Sequence, residues 1–405
     1  MTRQIPEAIA MTSADDIVLV AAARTPQGRM SGQFASLPAT ALGSRAIAGA
    51  LERGGIVPGD VDAVILGQVL AAGAGQNAAR QAAIGAGLGW DVPAHSVNKV
   101  CLSGLTAVID AARMIRTGDA TTVVAGGMES MTLAPHLLPK SRGGYAYGSI
   151  EVLDHMAHDG LTDAFDEESM GASTERHNAR FALTREDQDA VAARSHQRAA
   201  AARESGRFAA ETVPVEVPQR KGDPVSITAD EGIRPETTSE TLARLRPAFA
   251  ADGTITAGNA SQISDGAAAV VVTTRAHAEA KSWDVLATLG ANGQTAGPDN
   301  SLQAQPAQAI ARALDKQGIT ARDLDVVEIN EAFGAVVAQS QRELGLSDDA
   351  VNPNGGGIAL GHPIGASGAR LVVTAVHELA ARGGGTAAVA LCGGGGQGDA
   401  LILTR

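Results

Sequence analysis

ALGSRAIAGALERGGIVPGDVDAVILG, residues 41–67, lies without a gap on AQPAQAIARALDKQGITARDLDVVEIN, residues 304–330. Ile47 meets Ile310, Leu51 meets Leu314, Gly55 meets Gly318, Asp60 meets Asp323 and Asp62 meets Asp325. Each copy reads as an amphipathic helix stopped by a Gly, a short loop and an apolar strand. A second pair follows further on. SGLTAVIDAARMIRTGDATTVVAGG (103–127) resembles SGARLVVTAVHELAARGGGTAAVALCGG (367 onwards), each being Ser-Gly, an apolar helix, a Gly stop and a strand running into Gly-Gly. A repeat of this kind predicts two homologous α/β halves with mostly buried sheets.

Working outward, the stretch 134–260 matches neither copy and is richer in charge, so it reads as an inserted domain. NASQISDGAAAVVVTTRAHAEA after it returns to apolar strand and helix, completing the first half. The expected division is 1–133 plus 261–285 for the N-terminal half, 134–260 for the insert and 286–405 for the C-terminal half. A chain of 405 residues is long for a single core, which agrees with several units.

The 44% hydrophobic content comes almost wholly from aliphatic residues, and 48 glycines imply closely packed backbones. A net charge of -12 lacks the basic face that nucleic acid or an anionic membrane needs, and two Trp, two Tyr and six Phe offer no base-stacking platform. Neither partner is expected. The N-terminal MTRQIPEAIAMTSADD has no signal-peptide apolar run, no apolar run of the chain is long enough to span a bilayer, and the final LTR is not a peroxisomal signal. A cytoplasmic location is expected. Two cysteines in such a setting do not suggest a disulfide scaffold.

Cys101 in VNKVCLSGLTAVIDAARMI sits just before a helix whose apolar face is Leu105, Val108, Ile109, Ala112 and Ile115. A helix N-terminus favours the thiolate, the form that attacks carbon, so a nucleophile is weighed against a small buried hydrophobe. His362 in GGGIALGHPIGASGARLVV holds roughly the place in the second copy that Cys101 holds in the first, so packed halves would bring imidazole and thiol together. Cys392 ends the strand TAAVALC and opens CGGGGQG; the GxGxxG from Gly393 to Gly398 lacks the following helix of a dinucleotide site, because the chain ends seven residues later. Those glycines let backbone amides approach a reacting centre, or else make a tight turn. Asn330 in INEAF stands where the first copy has Gly67, an asymmetry that suggests function in one half, or a strand-end turn. No ligand spacing for a metal is present.

NKVCLSG, NEAF, GGGIALGHPIGASG and CGGGGQG, in this order, resemble the thiolase family over nearly the whole chain, apart from about 16 N-terminal residues. The resemblance implies a thiolase-like α/β fold: two duplicated halves with five-stranded mixed sheets covered by helices, and an inserted loop domain that carries coenzyme A. It implies Cys101 as nucleophile, His362 as its base and Cys392 as the acid/base for the substrate α-carbon. One oxyanion hole would comprise His362 and a water held by Asn330, the other the backbone N–H groups of Cys101 and Gly394. On DGLTDAF, MG, EGIR and TAGNAS, it places Ser261 by the pantetheine, Arg234 near the adenine, and Leu161, Met170, Ala257 and Phe333 along the tunnel. Arg220, Lys221, Arg244 and Arg246 add local positive charge to an acidic protein.

Two departures from the family pattern bear on substrate contacts. Ser169 stands where short-chain members have His, and SLQAQP, with Leu302 in a Met position, replaces the usual wording. The resemblance implies an acyltransferase acting on acyl-CoA and CoA with no cofactor beyond these thioesters, in a homodimer or homotetramer. DGLTDAF favours acetyl-CoA C-acetyltransferase activity. A longer-chain 3-oxoacyl-CoA thiolase of fatty-acid β-oxidation and a non-catalytic thiolase-like CoA-binding protein stand as alternatives. A decarboxylating ketoacyl synthase fits less well, because it has no use for the proton-transfer group of Cys392.

Overall fold

The computed structural model describes residues 13–405. The first twelve residues, on which the leader reading partly rests, lie outside the described residues. Ten strands build one large sheet: β1 (Ile17–Arg24), β2 (Gly28–Arg29), β3 (Ala63–Gly67), β4 (Ala94–Val97), β5 (Val123–Ser130), β6 (Ser264–Thr274), β7 (Ala287–Ala296), β8 (Val326–Ile329), β9 (Thr386–Gly393) and β10 (Gln397–Thr404). Their order is β8-β9-β10-β7-β1-β6-β5-β3-β4, with β2 beside β6.

The duplication is visible in the ladder pattern. In the first half β5, β3 and β4 are parallel and β6 lies antiparallel between β5 and β1. In the second, β8 is parallel to β9, and β10 lies antiparallel between β9 and β7. The place of β4 is taken there by a single parallel bridge from Val327 to Val351. Asn352 at φ 46 and Pro353 end the extended stretch, so this fifth member stays one residue long. Val18 and Leu19 pair with Thr288 and Ala287, which makes the two half-sheets continuous.

Helices form where the repeat predicts them. In the first half α1 (Ala39–Gly54) follows an extended Pro38 and stops at Gly55, φ 61; its counterpart in the second half, Gln305–Gln317, stops at Gly318, φ 73. Both glycines supply the left-handed cap that other residues adopt with strain. The helix after Cys101, α2 (Ser103–Arg116), buries Leu105, Val108, Ile109, Ala112 and Ile115 as read. Within the insert, α3 (Met170–Asn178) is capped by Ser169, and α4 (Arg185–Glu204) opens with a Thr184/Asp187 capping box. The C-terminal half adds α5 (Gln305–Gln317), α6 (Gly334–Leu344) and α7 (Ser367–Arg382).

α2 and α7 share one apolar cluster with strands of both halves. They cross at Gly104 and Gly368. A Cβ on Gly368 would lie 2.3 Å from Leu105 N, and one on Gly104 would lie 2.8 Å from Ala369 N. The Ser-Gly repeated in the two copies is therefore the point at which the halves touch through backbone.

The insert leaves the sheet after Ser130 and returns at Ser264. It packs on the C-terminal half although it interrupts the N-terminal one: Ser195 on α4 donates to Glu331 at 2.6 Å, and a Cβ on Gly334 would meet Gln188 O at 2.7 Å. Fully buried Arg24 on β1 ties it back, with Glu211 at 2.7 Å and Asp230 at 2.7 Å. Among the described residues no helix is long and apolar enough to cross a membrane, and no group of three or more His, Cys, Asp or Glu could hold a metal ion.

Gly368→Ala is expected to destabilise the protein by about 1–3 kcal/mol, the range for overpacking against atoms that cannot yield. Gly59→Ala, with nothing within 4 Å, is expected to change stability by less than about 0.5 kcal/mol. Denaturant unfolding of the two variants checks this, and equal effects would show that the crossing tolerates a methyl group.

Candidate active site

The site forms where the loops before α2 and α7 meet. Cys101 directly precedes the first turn of α2, and the α7 counterpart of Cys101, counted back from Ser367, is Gly365; His362 stands three residues earlier. The Gly365 carbonyl occupies space that a Cβ on Gly67 or Gly127 would need, at 2.6 and 2.1 Å. Glycine at these two strand positions thus admits the second loop into the first half. Ile364 and Cys101 pack in one apolar cluster with Val69, Leu70, Met131 and Met156, with Leu161 at its edge.

Sequence reasoning missed the residue that clamps this loop. Glu129, at the end of β5 and fully buried, accepts from Val69 N at 3.0 Å, Leu70 N at 3.1 Å and Gly365 N at 2.9 Å. Burial raises its carboxyl to about 7 against the pull of those three donors. Nothing in the string GGMES marks this role, because its partners are backbone groups of distant segments.

His362 is buried, and burial with the nearby Arg370 charge lowers its pKa to about 3, so the imidazole is neutral. Its Nδ1 lies 2.6 Å from Ser367 Oγ, and that hydroxyl donates to Pro363 O at 2.9 Å. A hydroxyl has one proton, so Ser367 accepts from Nδ1–H, and the lone pair of the neutral ring is left on Nε2. Asn330 Nδ2 lies 3.3 Å from that Nε2. Asn330 Oδ1 is buried without a partner, a free acceptor beside the imidazole. Asn330 itself is fixed just past β8 by its N–H to Ala390 O at 3.0 Å.

Cys392 is buried at the end of β9, and the glycine turn beyond it carries Gly394. The backbone N–H groups of Gly394 and of Cys101 itself lie near enough to the Cys101 sulfur to favour its thiolate. Their effect is outweighed: loss of water contact pushes the Cys101 thiol up to about 11. Burial, with the neighbouring Cys101, pushes the Cys392 thiol up as well. The helix N-terminus favours a thiolate at Cys101 and burial opposes it, because desolvation of a charged sulfur exceeds what a few N–H dipoles return.

Outside this centre a cleft of about 810 Å³ is lined by Val100, His158, Thr162, Phe165, Met170 and Gly394, among others. Met170 N donates to Leu161 O at 2.8 Å, which joins two of the residues expected along the tunnel. Ser261 N donates to Ala332 O at 3.0 Å and Ala260 bridges Phe333, so Ser261 and Phe333 lie on adjoining extended segments. Ala257 is exposed nearby in sequence. Arg234 is exposed, with its N–H on His196 Nδ1 at 3.2 Å, and no side-chain contact brings it to the cleft. Arg220, Lys221, Arg244 and Arg246 are exposed, Ser169 caps α3, and Leu302 is buried in the C-terminal core.

Residues 17–276 match the family model for the thiolase N-terminal domain, and residues 283–405 the model for the thiolase C-terminal domain. The chain belongs to the thiolase family. Among curated relatives, a probable acetyl-CoA acetyltransferase of Mycolicibacterium smegmatis is 57% identical over 96% of this chain and 100% of its own. One of the same name from Mycobacterium tuberculosis is 58% identical over 95% of this chain and 98% of its own. An acetyl-CoA acetyltransferase of Pseudomonas aeruginosa is 51% identical over 96% and 99%. Within this thiolase the two family models together span both duplicated halves and the segment that interrupts the first.

Removing the Ser367 hydroxyl leaves Nδ1–H unpaired as the imidazolium forms. A hydrogen bond to a charged group contributes about 1.5–3 kcal/mol, so Ser367→Ala should lower kcat about 10- to 100-fold. Steady-state kinetics beside a thermal unfolding curve check this, and unchanged kcat would take Ser367 out of the site.

Proposed function

We propose that this protein is an acetyl-CoA C-acetyltransferase, joining two acetyl-CoA into acetoacetyl-CoA and CoA, or cleaving the product in reverse. The names of the full-length relatives favour that substrate. The observation that carries the reading is geometric: the loops that bear Cys101 and His362 meet at the Gly104–Gly368 crossing, with Asn330 against the imidazole and its carboxamide oxygen unpartnered.

In this proposal Cys101 attacks the thioester carbon while His362 Nε2 takes its proton, since burial disfavours a preformed thiolate. The C–S bond to CoA breaks, and the Cys392 thiol protonates the departing CoA sulfur. A thiol with a raised pKa starts in the protonation state that this step needs. The Cys392 thiolate then removes an α-proton from the second acetyl-CoA. The carbanion attacks the acyl-cysteine, and the Cys101 sulfur leaves and recovers its proton from His362. The N–H groups of Cys101 and Gly394 stabilise the oxyanion of acyl transfer, and His362 with a water on Asn330 stabilises the enolate, each donor at about 3 kcal/mol. The scheme uses CoA thioesters as its only small molecules and has no step for a metal or redox cofactor. Leu161, Met170, Ala257, Ser261 and Phe333 are proposed to line the CoA path, with Arg234 toward the adenine.

A cytoplasmic, homo-oligomeric enzyme of fatty-acid metabolism is part of the same proposal. Leu133, Leu138, Tyr145, Tyr147, Ile150 and Val152 are exposed within one short segment, more apolar surface than an isolated chain usually keeps. Sedimentation analysis should give a dimer or tetramer, and a monomer would remove this part of the reading.

Labelled acetyl-CoA should acylate Cys101, Cys101→Ala should abolish transfer, and Cys392→Ser should spare acylation more than condensation. Equal loss of both half-reactions in the Cys392 variant would contradict the division of roles. Thiolysis of acetoacetyl-CoA should exceed that of a 3-oxo-C8 substrate, and the reverse order would move the protein to the longer-chain class.

A further inference from the structure

We propose that Asp399 is a positioning residue: through Lys99 and Thr106 it fixes the Cys101 turn against the strand pair that carries Cys392. The inference rests on the two-thiol reading given under the proposed function.

Cys101 lies between two tied points. Lys99, two residues before it, places Nζ 2.7 and 2.8 Å from the two Asp399 carboxylate oxygens. Thr106, on the first turns of α2 after it, donates to the same carboxylate at 3.0 Å. Gln294 on β7 adds a donor at 3.1 Å. Asp399 is fully buried on β10, where it pairs with Leu391 while the adjacent Gly398 pairs with Cys392. One carboxylate thus joins both flanks of the nucleophile to the strand neighbouring the second thiol.

The turn it holds is under strain. Val100, between Lys99 and Cys101, has φ 52. For a β-branched residue this is a costly conformation, kept only where the surroundings impose it. Two local bonds, Lys99 N to Ser103 Oγ at 2.8 Å and Ser103 Oγ to Val100 O at 2.6 Å, set the shape of the turn. They lie within residues 99–103 and cannot set its distance from β9. The Asp399 bonds cross from the N-terminal to the C-terminal half, so they can.

A buried carboxylate is unfavourable unless every lone pair is used, and packed apolar residues would stabilise this position as well. What apolar residues would not supply is a directional link between the two thiols. Reactions of this kind respond to that link, because about 1 Å of misplacement can cost about 100-fold in rate.

The test uses full-length Lys99→Met, Asp399→Asn, their double variant and Lys99→Arg, with active sites counted by labelled acetyl-Cys101 so that only folded enzyme is scored. Lys99→Met and Asp399→Asn should each lower kcat for acetoacetyl-CoA thiolysis about 10- to 100-fold with KM within about threefold. The double variant should lose no more than the worse single one, and Lys99→Arg should recover most of kcat. Should Asp399→Asn fail to fold, Lys99→Met at a partly exposed residue still decides. Unchanged kcat per labelled site, losses that multiply in the double variant, or Lys99→Arg as poor as Lys99→Met would each overturn the proposal. Wild-type enzyme that forms no acetyl-Cys101 would instead remove the thiolase reading beneath it.

Discussion

Backbone contact between α2 and α7 at Gly104 and Gly368 governs the rest of the molecule. With no Cβ on either side, the two helices approach closely enough for their preceding loops to share one site. Gly67 and Gly127 extend the same constraint to the sheet, giving room to the Gly365 carbonyl. The high glycine content is therefore concentrated in meaning: at these four positions it sets how far apart a thiol and an imidazole from different halves can be.

The packing that gathers the reactive groups also dries them. Burial pushes both thiols up and the His362 imidazole down, which favours the neutral form of each. The polar bonds that remain serve orientation: Ser367 fixes the ring tautomer, Glu129 holds the loop after His362, and Asn330 presents its amide to the ring.

The interrupting insert obeys a related logic. It belongs by sequence to the first half, yet α4 packs on the second through Ser195 and Glu331, and Arg24 anchors its far end to β1. An insert so placed spans both halves and covers the cleft beside the cysteines with Thr162, Phe165 and Met170.

Much of this was legible in the string. The gapless match of 41–67 with 304–330 determined the duplicated α/β halves, since helical and strand periodicities and glycine stops are local properties. Cys101, His362, Cys392 and Asn330 stood out because each breaks the symmetry of the repeat or sits in a glycine-rich turn. The strand count of the second half was not legible, because Asn352 and Pro353 shorten its edge to a bridge only once the register is known. Glu129, Ser367, and the protonation states of both thiols were likewise decided by tertiary structure. Their partners are backbone groups and solvent exclusion contributed by distant segments, and neither leaves a mark on residue order.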